Sequence, residues 1–207
     1  LCHAEWRRSI TRAAEVITVL VLFFGVGSVI MDLGRPERAL NVLLHPNFHS
    51  PLLWDVCSIS VYLTASTIYL FLPLIPDIAI LRDHGAKPAW LYRLLGVGWC
   101  ASEKQKRLLN RAISVMAVLV IPIAISVHTV VSWVFAMTVQ PMWHSSIFGP
   151  YFVVGAILSG IASLLIVMAL IRRIYLLQNY LKPIHFNNLG LLLLVMALLW
   201  FYFTFAE

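Results

Sequence analysis

The sequence predicts an all-α, polytopic membrane helix bundle with five transmembrane helices. Of the 207 residues, 61% are hydrophobic and 12% are charged, and the mean hydropathy is +0.88. A soluble domain of this length needs far more polar surface. Five separate stretches are apolar for about 20 residues each, the length that a helix needs to cross a hydrocarbon core of about 30 Å. Lipid is therefore the predicted solvent for most of the chain.

The five spans, named A to E in chain order, are expected to form one membrane domain over residues 1–207. Each must be a helix, because an open sheet would leave backbone groups without hydrogen-bond partners in lipid. The chain starts at Leu1 without the organisation of a signal peptide and ends within span E, so we expect a fragment of a longer protein. The predicted spans lie at about 13–33, 52–72, 112–137, 151–171 and 189–206.

Basic residues predict the orientation of the spans, since Lys and Arg are retained on the cytoplasmic side. Thirteen of the fifteen Lys and Arg residues precede A, or lie between B and C or between D and E. Only Arg35 and Arg38 fall between A and B, and none lies between C and D. We therefore expect loops 34–51 and 138–150 to be periplasmic in a bacterial inner membrane. The net charge of +6 reflects this topology and not a nucleic-acid partner.

The cytoplasmic connection between B and C, residues 77–111, is the one sizeable polar segment of the sequence. Leu91, Leu94 and Leu95 stand among Lys and Arg residues there, which predicts a short amphipathic helix on the membrane surface. We interpret the connection as a structural cover on the cytoplasmic side.

Two patterns within spans predict helix packing. Gly155, Ser159 and Ser163 recur at intervals of four in span D, and such small residues let a neighbouring helix approach closely. Pro122 lies inside span C and predicts a kink, because proline removes a backbone hydrogen bond.

The Cys and His residues do not predict a metal site. Cys2, Cys57 and Cys100 lie far apart and form no C-x-x-C pair, so we interpret them as inert thiols. His45 and His49 are separated by a proline that breaks the helical spacing of a ligand pair. No resident metal is expected.

Ionisable side chains within spans are costly in lipid, so each is a candidate functional residue. Asp32, Asp55 and Glu207 fall at the outer edge of their spans, and His128 lies 16 residues into span C, about 24 Å from its inner end. We expect Asp32, Asp55 and His128 to line an outer cavity that handles protons or quinol. Glu15, at the cytoplasmic end of span A, and Glu207 are candidates for a proton path.

Each candidate also has a structural interpretation. Asp55 follows a proline at the predicted start of span B and can complement the helix dipole, as can Glu15 in the first turn of A. Asp32 can pair with an arginine of the A–B loop, and His128 can be a hydrogen-bonded core histidine. The sequence leaves both interpretations open for each residue.

A buried histidine beside carboxylates suits the oxidation of a hydroquinone, which loses two protons with its two electrons. The electrons need a redox centre, and a bis-His haem needs two histidines on facing helices, whereas only His128 lies well inside a span. We therefore expect no covalently bound cofactor here, with haem and iron–sulfur clusters confined to partner subunits.

Four stretches of the chain resemble one family: residues 31–36 (MDLGRP), 47–55 (NFHSPLLWD), 126–132 (SVHTVVS) and 143–152 (WHSSIFGPYF). They resemble the NrfD/PsrC-like, polysulfide reductase-type membrane subunits, and most closely the two such subunits of bacterial alternative complex III, a quinol:electron-acceptor oxidoreductase. The resemblance implies eight to ten helices in two four-helix bundles. It also implies an iron–sulfur subunit, multihaem cytochrome subunits and an NrfD-like paralogue as partners, and menaquinone or another quinol as a ligand.

The resemblance also bears on the site. The family's menaquinol site has a histidine at the position of Asp32, an aspartate at that of Asp55 and an aspartate at that of Val134, so this chain keeps only Asp55. The chain is thus more similar to the ActF-type than to the quinol-binding ActC-type paralogue. This likeness implies a role in proton passage or in anchoring the assembly. Our first hypothesis is a membrane subunit that contributes to quinol-linked proton handling and anchors periplasmic redox subunits.

Two other functions remain open. One is a proton conduit or scaffold subunit that binds no quinone. The other is a secondary transporter, which is disfavoured because the middle levels of A, B, D and E carry no charge.

Overall fold

A computed structural model describes residues 8–32, 35–38, 40–85, 87–139 and 145–206. Within these ranges the chain forms seven α-helices and a short 3-10 helix, with no strand, so the all-α prediction is confirmed. The helices are α1 (Arg8–Asp32), α2 (Asn41–Leu44), α3 (Pro51–Asp83), α4 (Ala89–Leu95), α5 (Glu103–Val139), α6 (Phe148–Ile174) and α7 (Pro183–Ala206), and the 3-10 helix is Pro36–Arg38.

Five of the described helices, α1, α3, α5, α6 and α7, are long and apolar enough to cross a membrane. They correspond to the predicted spans A to E, which confirms a polytopic helical membrane protein. The reason is compositional, since each carries a run of apolar residues that only a helix can bury in lipid.

Helices α3 and α5 are longer than the predicted spans. They contain 33 and 37 residues, or about 50 and 55 Å at 1.5 Å per residue. Their polar turns extend into the connection 77–111, because α3 continues to Asp83 and α5 begins at Glu103. Helix α4 occupies the remaining part, with Trp90 and Leu94 exposed, and its position on the membrane surface stays a prediction.

The long helices alternate in direction, so five helix termini meet at one end of the bundle. These are the first turns of α1, α5 and α7 and the last turns of α3 and α6. We call this the basic end, because the flanking segments hold most of the Lys and Arg residues. A buried cluster ties it together, joining α1 to α6, α7 and the α6–α7 connection through Ile10, Ile161, Met168, Leu181 and Leu189.

Glycine brings helices together at the opposite end. A Cβ atom on Gly155 would lie 3.1 Å from Nε1 of Trp200 in α7, and one on Gly149 would lie 3.4 Å from Nε1 of Trp133 in α5. The ring of Trp200 also stacks on Tyr151, with centroids 5.6 Å apart. Gly155 therefore has the packing role that the sequence predicts.

Proline lies within two of the long helices. Helix α5 continues through Pro122, and α3 continues through Pro73 and Pro76, which lie beyond the predicted end of span B. The kink predicted at Pro122 stays a prediction.

Candidate functional site

A cavity of about 600 Å³ lies between α1, α3, α5 and α6. Its walls are mostly aliphatic, and the side chains that bring polar groups to it are Thr18, Tyr62, His128, Ser159 and Ser163. Its size and its few polar groups are typical of small-molecule sites, which measure about 300–1,000 Å³. Ser159 and Ser163 thus belong to the cavity wall, whereas Gly155 of the same repeat packs on α7.

His128 reaches this cavity from α5. Its Nδ1 lies 2.7 Å from the carbonyl oxygen of Ala124, one turn earlier in the same helix. A carbonyl oxygen only accepts, so Nδ1 carries a proton and donates it. In the neutral ring, Nε2 therefore keeps a lone pair and is a proton acceptor.

Aromatic rings from two other helices hold the imidazole of His128. Tyr62 of α3 meets it edge-on with centroids 6.0 Å apart, and Phe152 of α6 lies 6.4 Å away. His128 is half-buried, at the point where α3, α5 and α6 meet. The contacts restrict the ring to one orientation, which a positioned base requires.

Asp55 lies on α3 near the same end of the bundle but outside the lining of this cavity. It is the fifth residue of α3, beyond the first turn, and its Oδ1 is buried without a hydrogen-bond partner among the described residues. The helix-dipole effect falls off within the first turn, so the dipole alone is a weak explanation. Tyr62 is seven residues further along the same face, about 10 Å away.

Two other predicted residues lie at or beyond the edge of the described ranges. Asp32 is the last residue of α1 and so lies at the same end as Asp55, but its side chain is outside the described part of the chain. Glu207 lies wholly outside it. The grouping of Asp32 and Asp55 with His128 in one cavity, and the proton-path role of Glu207, stay predictions.

Glu15 is buried near the basic end, with 7% of its surface exposed. Neither carboxylate oxygen has a hydrogen-bond partner among the described residues. Arg12, one turn earlier, is close enough to act on Glu15 electrostatically, but its guanidinium donates to Asp77 of α3. The Arg12–Asp77 pair thus joins α1 to α3, and Glu15 is left as a buried carboxyl group beside it.

A row of polar residues runs along α3, and sequence reasoning restricted to charged groups missed it. Its members are spaced by three, four or eight residues, which places them on one side of a helix. They are Asp55, Ser58, Tyr62, Ser66, Tyr69 and Asp77. We call this row the α3 polar stripe. Its ends are 22 residues apart, about 33 Å, the thickness of a hydrocarbon core. The helical spacing of these polar residues is visible in the sequence and could have predicted the stripe.

Metal chemistry has no visible basis in the described ranges, where no group of three His, Cys, Asp or Glu side chains gathers around a common point. Cys57 and Cys100 are free thiols, both exposed.

Comparison with known proteins gives the family. The sequence pattern described as polysulphide reductase, NrfD, matches residues 3–206. This chain belongs to the NrfD family. A relative of the NrfD chain in Halobacterium salinarum (strain ATCC 700922 / JCM 11081 / NRC-1), provisionally named as a dimethyl sulfoxide reductase membrane subunit, is 26% identical over 172 residues. That match covers 83% of this chain and 37% of the relative, so the chain spans less than two-fifths of the relative's length.

The stretches that carry the NrfD resemblance converge in space. Their described parts lie at the end of α1, the start of α3, the second half of α5 and the start of α6. All four therefore lie at the end opposite the basic end. His128 and Asp55 both stand within them.

Proposed function

We propose that this chain is part of an integral membrane subunit of a quinol-oxidising respiratory complex, and that His128 accepts a proton from a quinol in the adjacent cavity. The observation that carries the proposal is the placement of His128. One nitrogen is fixed to the Ala124 carbonyl, and the ring borders a cavity of about 600 Å³ with aliphatic walls. An aliphatic wall suits a quinone ring and its tail, and a neutral imidazole suits the hydroxyl proton.

The chemistry divides between this chain and its partners. Oxidation of a quinol to a quinone releases two protons and two electrons, and the Nε2 lone pair of His128 takes one proton. The Tyr62 side chain lines the same cavity, and its hydroxyl takes up the second proton as it releases its own along α3 towards Asp55. The electrons leave to iron–sulfur and haem groups of partner subunits.

The family supports a multi-subunit setting. The relative from Halobacterium salinarum is named as a membrane subunit of a dimethyl sulfoxide reductase. From the resemblance carried by residues 31–36, 47–55, 126–132 and 143–152, we propose an assembly of the alternative complex III type, with an iron–sulfur subunit, multihaem cytochromes and an NrfD-like paralogue. The basic end faces the cytoplasm of a bacterial inner membrane, and the chain anchors the redox subunits on the periplasmic side.

Replacing His128 by Gln in the complete complex tests the proposal. Loss of the proton acceptor should lower the rate of quinol oxidation at least about 100-fold, the low end of what a positioned base contributes. His84 is a matched control, because its Nδ1 lies 2.8 Å from the carbonyl oxygen of Ile80 in the same one-turn bond, yet it is exposed at the basic end. His84→Gln should leave the rate unchanged. Equal rates in the two variants would contradict the proposal.

A second function, a proton conduit without quinol turnover, is favoured by Glu15 and the α3 polar stripe. Hydroxyl and carboxyl groups at intervals of one or two turns can carry protons when water joins them, and Glu15 provides a protonatable group near the inner end.

Proton movement in proteoliposomes separates this function from the first. Glu15→Gln should abolish proton transfer across the bilayer while electron transfer by the complex continues. Glu103→Gln is the control, since Glu103 is exposed and forms a surface pair with Lys106. Unchanged proton transfer in Glu15→Gln would remove Glu15 from the path.

A further inference from the structure

The junction of α6 and α7 at the basic end contains polar groups that the proposed function does not use. Helix α6 ends at Ile174 and α7 begins at Pro183. The connection between them is tied by backbone hydrogen bonds, including Leu177 N to Arg172 O at 3.2 Å and His185 N to Lys182 O at 3.0 Å. Arg172 and His185 therefore lie on either side of the short connection between α6 and α7.

Two nitrogen atoms at this junction are buried without a hydrogen-bond partner among the described residues. They are Nε of Arg172 and Nδ1 of His185, and His185 is only 6% exposed. The guanidinium carbon of Arg172 lies 5.6 Å from the ring centroid of Phe186, the residue after His185. Both nitrogens are thus in the same neighbourhood. Buried donors without an acceptor are rare, and each one needs an explanation.

Among the described residues, no acidic side chain forms an ion pair at this junction. No Asp or Glu occurs between Glu103 and Glu207 in the sequence. The ion pairs of the described residues join Arg12 to Asp77, Arg82 to Asp83 and Lys106 to Glu103. The junction nevertheless gathers four basic side chains, Arg172, Arg173, Lys182 and His185, beside the N-terminus of the 24-residue helix α7, where the helix dipole also favours an anion.

We propose that this junction binds the phosphate group of an anionic phospholipid. Arg172 Nε–H and the N–H at Nδ1 of His185 donate to phosphate oxygens, and Arg173 and Lys182 add attraction from the surface. Arg172 lies 24 residues from Phe148 at the start of α6, about 36 Å along the helix, which places it at headgroup level.

Apolar residues next to the junction select a lipid over a free anion. Leu170 and Ile174 of α6 and Ile184 and Leu191 of α7 are all more than half exposed. They continue from the junction into the apolar part of the bundle, where acyl chains can lie along them. Basic pockets between transmembrane helices are a recognised type of headgroup site.

Lipid retention by the purified complex in nanodiscs tests the assignment. The probe is phosphatidylglycerol titrated into phosphatidylcholine nanodiscs, with bound lipid counted by native mass spectrometry. Arg172→Gln should raise the phosphatidylglycerol fraction needed for half-occupancy about tenfold, as expected for the loss of a hydrogen bond to a charged group. Arg173→Gln is the matched control, because it removes the same charge from an exposed neighbour and should change this fraction less than about twofold.

Arg172→Lys separates the loss of the Nε donor from the loss of charge, because it keeps the charge. Circular dichroism measures its helix content and so shows whether this variant is folded. A folded Arg172→Lys protein with weaker retention supports the site. If Arg172→Gln and Arg173→Gln lose phosphatidylglycerol retention equally, general surface charge explains the effect and the proposal is overturned. Displacement of the lipid by millimolar inorganic phosphate would assign the site to a free anion. No preference for phosphatidylglycerol in the unaltered complex would mean that another protein segment fills the site.

Discussion

His128 and His84 show how surroundings give one residue type two roles. Each makes the same one-turn Nδ1 bond to a backbone carbonyl oxygen. His128 meets Tyr62 and Phe152 and borders a cavity, whereas His84 is exposed in the connection after α3. The local bond sets the tautomer in both cases. The role proposed for His128 therefore comes from the neighbouring helices and not from its own.

Glu15 carries a prediction about stability at the residue scale. A buried carboxyl group without hydrogen bonds is unfavourable, so Glu15→Met, which keeps a similar volume, should raise the free energy of unfolding by about 1–3 kcal/mol. Unfolding in mixed micelles, followed by circular dichroism, measures the change. The exposed Glu103→Met substitution should change it by less than about 0.5 kcal/mol. A destabilised Glu15→Met protein would show that the carboxyl group has an unrecognised partner.

At the scale of the element, α6 changes character along its length. Its Gly149 and Gly155 admit tryptophan side chains of α5 and α7 to close contact, whereas Ser159 and Ser163 face the cavity. One helix therefore combines tight packing at the end opposite the basic end with open space further along.

We expect a glycine-to-alanine substitution to have opposite effects on stability at two positions of α6. Gly155→Ala places a Cβ atom 3.1 Å from Trp200 Nε1 and should lower stability by about 1 kcal/mol. Gly160→Ala meets nothing within 4 Å and should raise it by up to about 1 kcal/mol through helix propensity. Thermal unfolding of both variants under one set of conditions gives the comparison. A gain in stability for Gly155→Ala would mean that Trp200 moves without cost.

The α3 helix shows what the sequence could and could not predict. Its membrane-spanning character depends on composition alone and was predicted correctly. Its extension to Asp83 lies outside what hydropathy predicts, because charged residues are tolerated in helical turns that project out of the lipid. The contact of Tyr62 with His128 depends on the rotation of α3 and α5 about their axes, and hydropathy carries no information on that angle. Hydropathy likewise gives the depth of Asp55 but not the direction of its side chain, so its place in one cavity with His128 stays a prediction.

At the scale of the whole molecule, the two ends of the bundle differ in chemistry. The basic end has the Arg12–Asp77 pair, Glu15 and the α6–α7 junction. The opposite end has Asp55 and the described parts of the stretches that resemble the family. This polarity is the basis for the proposed orientation, with the basic end in the cytoplasm.

Native Cys100 reports this orientation. It is a free, exposed thiol in the connection between α4 and α5 at the basic end. In a Cys2→Ser, Cys57→Ser background, a membrane-impermeant maleimide should leave Cys100 unlabelled in intact cells, and permeabilisation should expose it. With Cys100 also changed to Ser, Asn47→Cys in the loop before α3 should react in both cases. Labelling of Cys100 from outside would reverse the topology.

The buried cluster at the basic end also sets an order of events during synthesis. Ile10, near the start of α1, packs with Leu181 and Leu189, which are made some 170 residues later. Arg12 and Asp77 can meet as soon as α3 is inserted. The α1–α3 pair can therefore form first, and the side of α1 that carries Ile10 is covered only when α6 and α7 follow. Closure of the bundle is a late step. A nascent chain stalled before α7 would lack Leu189 of the cluster and would offer the translocon's quality control an incomplete apolar surface.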